Sequence, residues 1–167
     1  MQLKELNKLS ASHLKEELTK CCGSSVWVNL IASHFPFANK NSLLEKADAV
    51  WATLNEKDWL EAFGHHPKIG DVNSLREKFA STANWASGEQ SSVQQASQQT
   101  IEQLAEGNRQ YEDKFGYIFI VCATGKSAEK MLSILQQRLP NDPKEEIKIA
   151  TAEQAKITKL RLEKLLS

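Results

Sequence analysis

Tyr117-Ile118-Phe119-Ile120-Val121-Cys122 is built almost wholly of aromatic and β-branched residues, and in isolation it reads as a buried strand. Its neighbours decide otherwise. Before it, apolar positions recur at helical spacing from about Glu89 to Tyr111, with Val93, Ala96, Thr100, Ile101 and Leu104 on the inner face. After it, Ser127 opens a helix carrying Met131, Leu132, Leu135 and Leu139. Asp142-Pro143 then supplies a cap and a proline at the first helical position, launching a last helix through Ile147, Ala150, Ile157 and Leu160. A lone strand among helices has nothing to pair with. The segment around 117–123 is therefore expected to be an extended apolar stretch crossing a helical core.

The first half of the chain reads the same way. Leu14 and Leu18 share one face of a helix that Gly23 can end in a left-handed cap. Ser24 or Ser25 starts a second helix with Val26, Trp27, Leu30 and Ile31, and Pro36 stops it. Ser42-x-x-Glu45 has the form of a capping box for Leu43, Leu44, Ala47, Val50, Trp51 and Leu54. Asn55 caps a short helix holding Trp59, Leu60 and Phe63, and Gly64-His65-His66-Pro67 breaks the pattern. Ser74-x-x-Glu77 is a further capping box with Leu75 and Phe79, and a polar stretch over 80–88 precedes the long helix. No repeat, linker or low-complexity run divides the chain, and the Gln/Ser richness of 91–103 is a solvated helix face. The expected architecture is all-α: a single-domain helical bundle over 1–167 with one extended apolar segment.

With 167 residues the chain is long enough to bury one good core. Its 21 Lys+Arg balance 21 Asp+Glu, so no basic field recommends nucleic acid as a partner. A hydrophobic share of 41% with 25% charged residues excludes disorder, and 7 Gly with 4 Pro argue against a loop-rich fold. The apolar run 115–125 is well short of the roughly 20 residues that span a membrane. Cys21, Cys22 and Cys122 are odd in number and two are adjacent, so reduced, buried thiols are expected rather than a disulfide framework. No C-x-x-C and no histidine pair at i, i+4 occurs, so a zinc site is not expected. The opening Met1-Gln2-Leu3-Lys4-Glu5 has no signal-peptide core, which with the reduced cysteines points to the cytoplasm.

The 4 histidines are the side chains that titrate near neutrality when unperturbed. His13 reads as a surface residue, and His34 sits at a helix end, where a positive imidazole suits the dipole. His66 differs because Pro67 biases its backbone out of the helical region, presenting the side chain from a stiff loop between Gly64 and Gly70. It is either a functional group or a histidine closing the turn after a helix. Glu89-Gln90 is open in the same way. Ser87-x-x-Gln90 fits a capping box, which makes both residues helix starters. A helix's first turn also holds anions through its free N–H groups.

His66-Pro67-Lys68-Ile69-Gly70-Asp71, Gly88-Glu89-Gln90 and Tyr111-x-x-Lys114-Phe115-Gly116-Tyr117-x-Phe119-Ile120-Val121-Cys122-Ala123 follow one another in that order. Around them stand Cys21-Cys22-Gly23-Ser24-Ser25 with Trp27, Trp59-Leu60-Glu61-Ala62-Phe63, and Lys156-Ile157-Thr158-x-Leu160-Arg161-Leu162. Each motif is weak alone. As a collinear set covering nearly the whole chain they resemble the OHCU decarboxylase family, named for 2-oxo-4-hydroxy-4-carboxy-5-ureidoimidazoline and its place in urate breakdown.

The resemblance implies an all-helical, often dimeric carboxy-lyase that uses no metal or organic cofactor. It implies a small ureidoimidazoline as substrate, with (S)-allantoin and CO2 as products. In such a substrate the carbon losing CO2 is bonded to a C=N carbon, so the molecule is its own electron sink, a task enzymes often give to a cofactor. By the same resemblance His66 is the catalytic proton donor, and proton transfer of this kind is typically worth about 10²–10⁴-fold. Glu89 accepts ureido N–H bonds or orients His66, and Gln90 both donates and accepts through its amide. Phe119, Ile120, Val121, Cys122 and Ala123 offer the flat heterocycle backbone groups that a helix would have used up, and Pro67 packs against it. Arg161 either forks onto the substrate's carboxylate or a carbonyl, or pairs helices. A firm clamp on the carboxylate would oppose CO2 loss.

There is one departure. Where the family often reads Ser-x-x-Glu-Gln, this chain has Ala86 in the serine position and Ser87 beside it. The substrate contact expected over Ala86, Ser87 and Gly88 is then made by Ser87 from a shifted backbone, made by main chain, or lost. Two other classes compete. A catalytically silent helical interaction domain would have little reason to keep His66, Glu89 and Gln90 together. A hydrolase of a neighbouring ureido intermediate usually wants a metal-activated water, and these histidines lack ligand spacing. The chain ends Leu165-Leu166-Ser167, without a peroxisomal tripeptide, and carries no second catalytic domain. A cytoplasmic enzyme is expected, with a homodimer as the assembly the resemblance allows and neither nucleic acid nor membrane as partner.

Overall fold

The structure is a computed structural model in which residues 1–67, 72, 73, 75 and 90–167 are described, the side chains of 90–97 excepted. Among the described residues there are eight helices and no strand. They are α1 Leu3–Leu6, α2 Ala11–Cys21, α3 Ser25–Ser33, α4 Lys40–Thr53, α5 Glu56–Gly64, α6 Gln90–Phe115, α7 Ala128–Arg138 and α8 Pro143–Leu165. The all-α expectation holds. The chain forms two compact units: Met1–His66 with Ile120–Cys122 and Ile149–Ser167, and Pro67–Phe119 with Ala123–Lys148. No helix among the described residues is long and apolar enough to cross a membrane.

In the first unit, Leu6, Leu18, Trp27, Ile31, Leu43, Phe63 and Leu162 are buried in the core. Three indoles tie its helices together, each donating its N–H to a backbone carbonyl, as buried tryptophans usually do. Trp27 reaches Ala47 at 3.2 Å, Trp51 reaches Thr151 at 3.0 Å, and Trp59 reaches Trp51 at 3.3 Å. Ser24 caps α3 by accepting from the Trp27 N–H at 3.2 Å, and Asn55 with Asp58 forms a reciprocal box at the start of α5. Two expected helix ends are corrected. α4 is capped by Asn39, whose Oδ1 accepts from the Ser42 N–H at 2.8 Å, so Ser42 lies inside the first turn and Ser42-x-x-Glu45 is not the box. Asn is as good a cap as Ser, and the helix takes the earlier one. α2 ends on extended Cys22 (φ −150°, ψ 125°) rather than in a left-handed glycine. Gly23 is small for another reason: a Cβ there would run into the side chain of His65, with Cδ2 only 2.8 Å away.

In the second unit α6 packs on α7, with Ile101, Leu104, Tyr111, Met131 and Leu135 buried. α6 runs beyond the expected end at Tyr111 to Phe115, because Tyr111 is a fully buried inner-face residue rather than a terminus. Gly116 then turns the chain out at φ +82°, its N–H closing on Glu112 at 2.8 Å. The Tyr111 ring lies 4.5 Å from Phe115 and 5.2 Å from Phe119, between centroids. The Arg138 guanidinium sits 4.6 Å from the Phe119 ring centre. Arg138 is itself buried, and its Nε donates to the buried Glu146 carboxylate at 2.5 and 3.2 Å. Desolvation of this kind also holds the Tyr111 phenol well above its ordinary pKa.

The 117–123 stretch is neither helix nor strand, as expected. Ile120 and Cys122 are buried, and the Cys122 N–H donates to Glu153 Oε1 of α8 at 3.2 Å. All three cysteines are buried, and none forms a disulfide. α8 begins at Pro143 as foreseen, with Asp142 Oδ1 accepting from the Lys144 N–H at 3.1 Å. Its inner face is a correction. The expected stripe was Ile147, Ala150, Ile157 and Leu160, yet Leu160 is 39% exposed and the buried positions are Glu146, Ala150, Gln154, Thr158 and Leu162. They stand four residues apart and are mostly polar, because each of the polar ones has a partner waiting for it. The expected cap at Ser74 and Glu77, Phe79, the 80–88 stretch, and the side chains of Val93 and Ala96 lie outside the described residues.

Candidate active site

His66 is placed by the way α5 ends. After nine residues the helix closes on His65, whose N–H bonds the Ala62 carbonyl at 3.2 Å, while the His66 N–H reaches Phe63 at 3.3 Å. Proline next in the chain cannot continue the helix, so the His66 side chain leaves from a tight turn, half-buried. Two contacts fix that turn. The glycine at 23 leaves room for His65, as described above. Glu61 accepts from the Ser25 N–H at 2.5 Å and the Ser25 hydroxyl at 2.9 Å, tying α5 to the start of α3. Those bonds hold the Glu61 carboxyl below its usual pKa.

Both ring nitrogens of His66 face α8. Nε2 lies 2.5 Å from Gln154 Oε1, and an Arg161 terminal nitrogen lies 3.5 Å from Nδ1. Gln154 and Arg161 are two helical turns apart and so share a face. An amide oxygen only accepts, so the Nε2 that faces it carries a proton, and the Gln154 NH2 is left to donate to Thr158 Oγ1 at 3.1 Å. The Thr158 hydroxyl and the Ser24 N–H act to lower the Cys22 pKa. Even so, burial pushes the Cys21 and Cys22 thiols up to about 11, so both stay neutral. The result is an imidazole set between a buried amide on Nε2 and a guanidinium near Nδ1.

Of the residues singled out from sequence, the structure thus brings His66 and Arg161 together. Pro67 follows directly and is exposed. Phe119 is half-buried in the aromatic cluster of the second unit, and Ile120 and Cys122 are buried. Val121 and Ala123 are half-buried, and the Ala123 carbonyl accepts from the Lys126 N–H at 3.0 Å. Ala86, Ser87, Gly88 and Glu89 lie outside the described residues; Gln90 begins α6, and its side chain is outside them too. Gln154 and Thr158 were missed. The signal was available: extending the stripe from Ala150 to Leu162 in steps of four passes through both. Among the described residues no group of His, Cys, Asp and Glu is arranged to hold a metal ion.

An all-α protein with a half-buried imidazole held between an amide oxygen and a guanidinium has the equipment of a general acid–base enzyme. A family model for OHCU decarboxylase matches residues 7–163, and the chain belongs to that family. It is similar to a uric acid degradation bifunctional protein of Arabidopsis thaliana, 37% identical over 92% of this chain and 47% of the other. A bifunctional protein of the same description from Bacillus sp. (strain TB-90) is 28% identical over 99% of this chain and 32% of the other. The chain therefore spans less than half the length of these two relatives. A crystal structure of an OHCU decarboxylase in the presence of (S)-allantoin superposes with a TM-score of 0.72 at 36% identity, covering 90% of this chain and 97% of that one.

Proposed function

We propose that this chain, as one functional domain over 1–167, decarboxylates 2-oxo-4-hydroxy-4-carboxy-5-ureidoimidazoline to (S)-allantoin and CO2 without a cofactor. The observation that carries the reading is the His66 imidazole set between Gln154 and Arg161 in a member of this family. As CO2 leaves, the electrons of the breaking C–C bond flow into the substrate's C=N group, and its nitrogen takes a proton from solvent. Nδ1 accepts the proton of the substrate's hydroxyl, whose oxygen becomes the carbonyl of the product. The imidazolium so formed returns that proton to the neighbouring carbon from one face, giving one enantiomer. His66 is then a proton donor only after it has been a base, which refines the role implied by family resemblance. Arg161 steadies the oxygen that gains charge as its proton departs, a contact stronger in the transition state than before it.

Glu89 and Gln90 are assigned to the ureido group, Ser87 with Ala86 and Gly88 to the same end of the substrate, and Pro67 with Phe119, Ile120, Val121, Cys122 and Ala123 to the heterocycle. Buried thiols at Cys21, Cys22 and Cys122 favour a reducing compartment, the cytoplasm. Val26 and Leu30, each 40% exposed and one turn apart on α3, suit contact between two copies in a homodimer. The test generates the unstable substrate from urate with the two preceding activities and follows the optical activity of the allantoin formed. Rapid appearance of one enantiomer supports the reading; formation of nothing beyond the slow spontaneous racemate refutes it.

A further inference from the structure

Gln154 is fully buried and Thr158 nearly so, on a helix face where leucine or methionine would pack without the cost of hiding polar groups. Their bonds run in one direction: His66 Nε2 donates to the Gln154 oxygen at 2.5 Å, and the Gln154 amide donates to Thr158 at 3.1 Å. An amide is reversible, since its oxygen and nitrogen can trade places, and only a fixed neighbour decides which end faces the imidazole. Here two neighbours agree. Thr158 takes the NH2 end, which leaves the oxygen to accept from Nε2, and Arg161 lies 3.5 Å from Nδ1. All three residues project from α8, so ring tautomer and cation are set by one rigid element. The amide also contributes no charge: a carboxylate in its place would stabilise the imidazolium and favour a ring already protonated before substrate arrives.

We propose that Gln154, oriented by Thr158, is a positioning residue that locks His66 in the Nε2–H tautomer and so makes Nδ1 the proton-transferring atom. This rests on the reading of His66 as the group that moves the proton. The whole chain labelled with 15N-histidine is used, and the His66 signals are identified by their loss in His66→Asn. Wild type, at a pH where the ring is neutral, shows Nε2 protonated and Nδ1 unprotonated. Gln154→Leu shifts both ring nitrogens toward the average of the two tautomers, and kcat falls about 10–100-fold with KM within about two-fold. That loss is smaller than the roughly 10⁴ seen when the wrong tautomer is enforced in a catalytic triad. Thr158→Val, close to isosteric, shows the same shift in smaller measure and carries the test if Gln154→Leu does not fold.

A wild-type ring protonated on Nδ1 overturns the proposal, as do ring shifts that neither variant moves. A changed tautomer with undiminished kcat overturns the positioning role. His66→Asn at the wild-type rate sinks instead the reading on which it rests, so the two failures are told apart.

Discussion

Replacing Gly23 by alanine is the sharpest probe of how the histidine turn is held. An ideal Cβ at residue 23 falls on His65 Cβ and Cγ, and lies 2.8 Å from Cδ2. Carbon atoms prefer about 3.5–4.0 Å, so even the most distant of the three contacts is short by about 1 Å. Rotating the ring moves Cδ2 but cannot move His65 Cβ, which is tied to the backbone; the end of α5 itself must give way. Overpacking of this kind costs about 1–3 kcal/mol, and the stiffer unfolded chain of alanine offsets about 0.4–1 kcal/mol. A net loss of about 1–2 kcal/mol lowers the midpoint of a thermal melt by roughly 2–8 °C for a chain of this size. The larger effect is on rate. His66 is the next residue, and a shift of about 1 Å breaks its 2.5 Å bond to Gln154, a misplacement that can cost about 10²-fold. The assay pairs a circular-dichroism melt with the initial rate of (S)-allantoin formation. Adding His65→Gly removes all three offending atoms and returns the rate to within a few-fold of wild type. Gly23→Ala with normal rate and melt, or a double variant as slow as the single one, refutes the steric reasoning.

Glu146→Gln leaves the buried Arg138 guanidinium without its counter-charge and is expected to cost about 3–5 kcal/mol, read from urea unfolding. Arg138→Met with Glu146→Leu recovers most of that loss; a single variant of wild-type stability contradicts the desolvated pair. Burial pushes the Cys21 and Cys22 thiols from 9.0 up to about 11, so their contribution to stability is complete below pH 9 and is lost as pH rises toward 11. The loss is on the order of 2–3 kcal/mol per thiol, and a Cys21→Ala, Cys22→Ala variant should show a shallower alkaline fall. An unchanged slope would count against it. Asn39→Ala costs about 1 kcal/mol and Ser42→Ala only a few tenths, in the order fixed by the observed cap of α4. The reverse order would restore the serine box.

Helix identity was legible wherever a single force decided it. Trp27, Ile31, Leu43 and Phe63 follow the helical period because burial alone placed them, and Asn55 and Ser127 mark helix starts through backbone chemistry that is local. The extended 117–123 stretch was legible by elimination, since its β-forming residues had no second strand to join. α8 was misjudged because hydrophobicity does not govern it. Glu146 answers to Arg138 and Gln154 to His66, partners distant in sequence, so an apolar pattern pointed at Leu160 instead. Gly23 was misjudged for a related reason: a local rule assigned it a left-handed cap, whereas a residue 42 positions further on requires it to be small. Of the candidate site, His66 and Arg161 were legible as motif residues. The amide and hydroxyl behind them show only in the four-residue step from Ala150 to Leu162, which an apolar pattern passes over because both are polar.

The central claim is that the His66 imidazole carries a proton from the substrate's oxygen to the carbon beside it. The most direct measurement follows optical activity during substrate turnover by His66→Asn, an uncharged replacement that cannot shuttle a proton. The expected rate is lowered by about 10²–10⁴-fold, with allantoin accumulating as the racemate. A single enantiomer formed at the wild-type rate would contradict it.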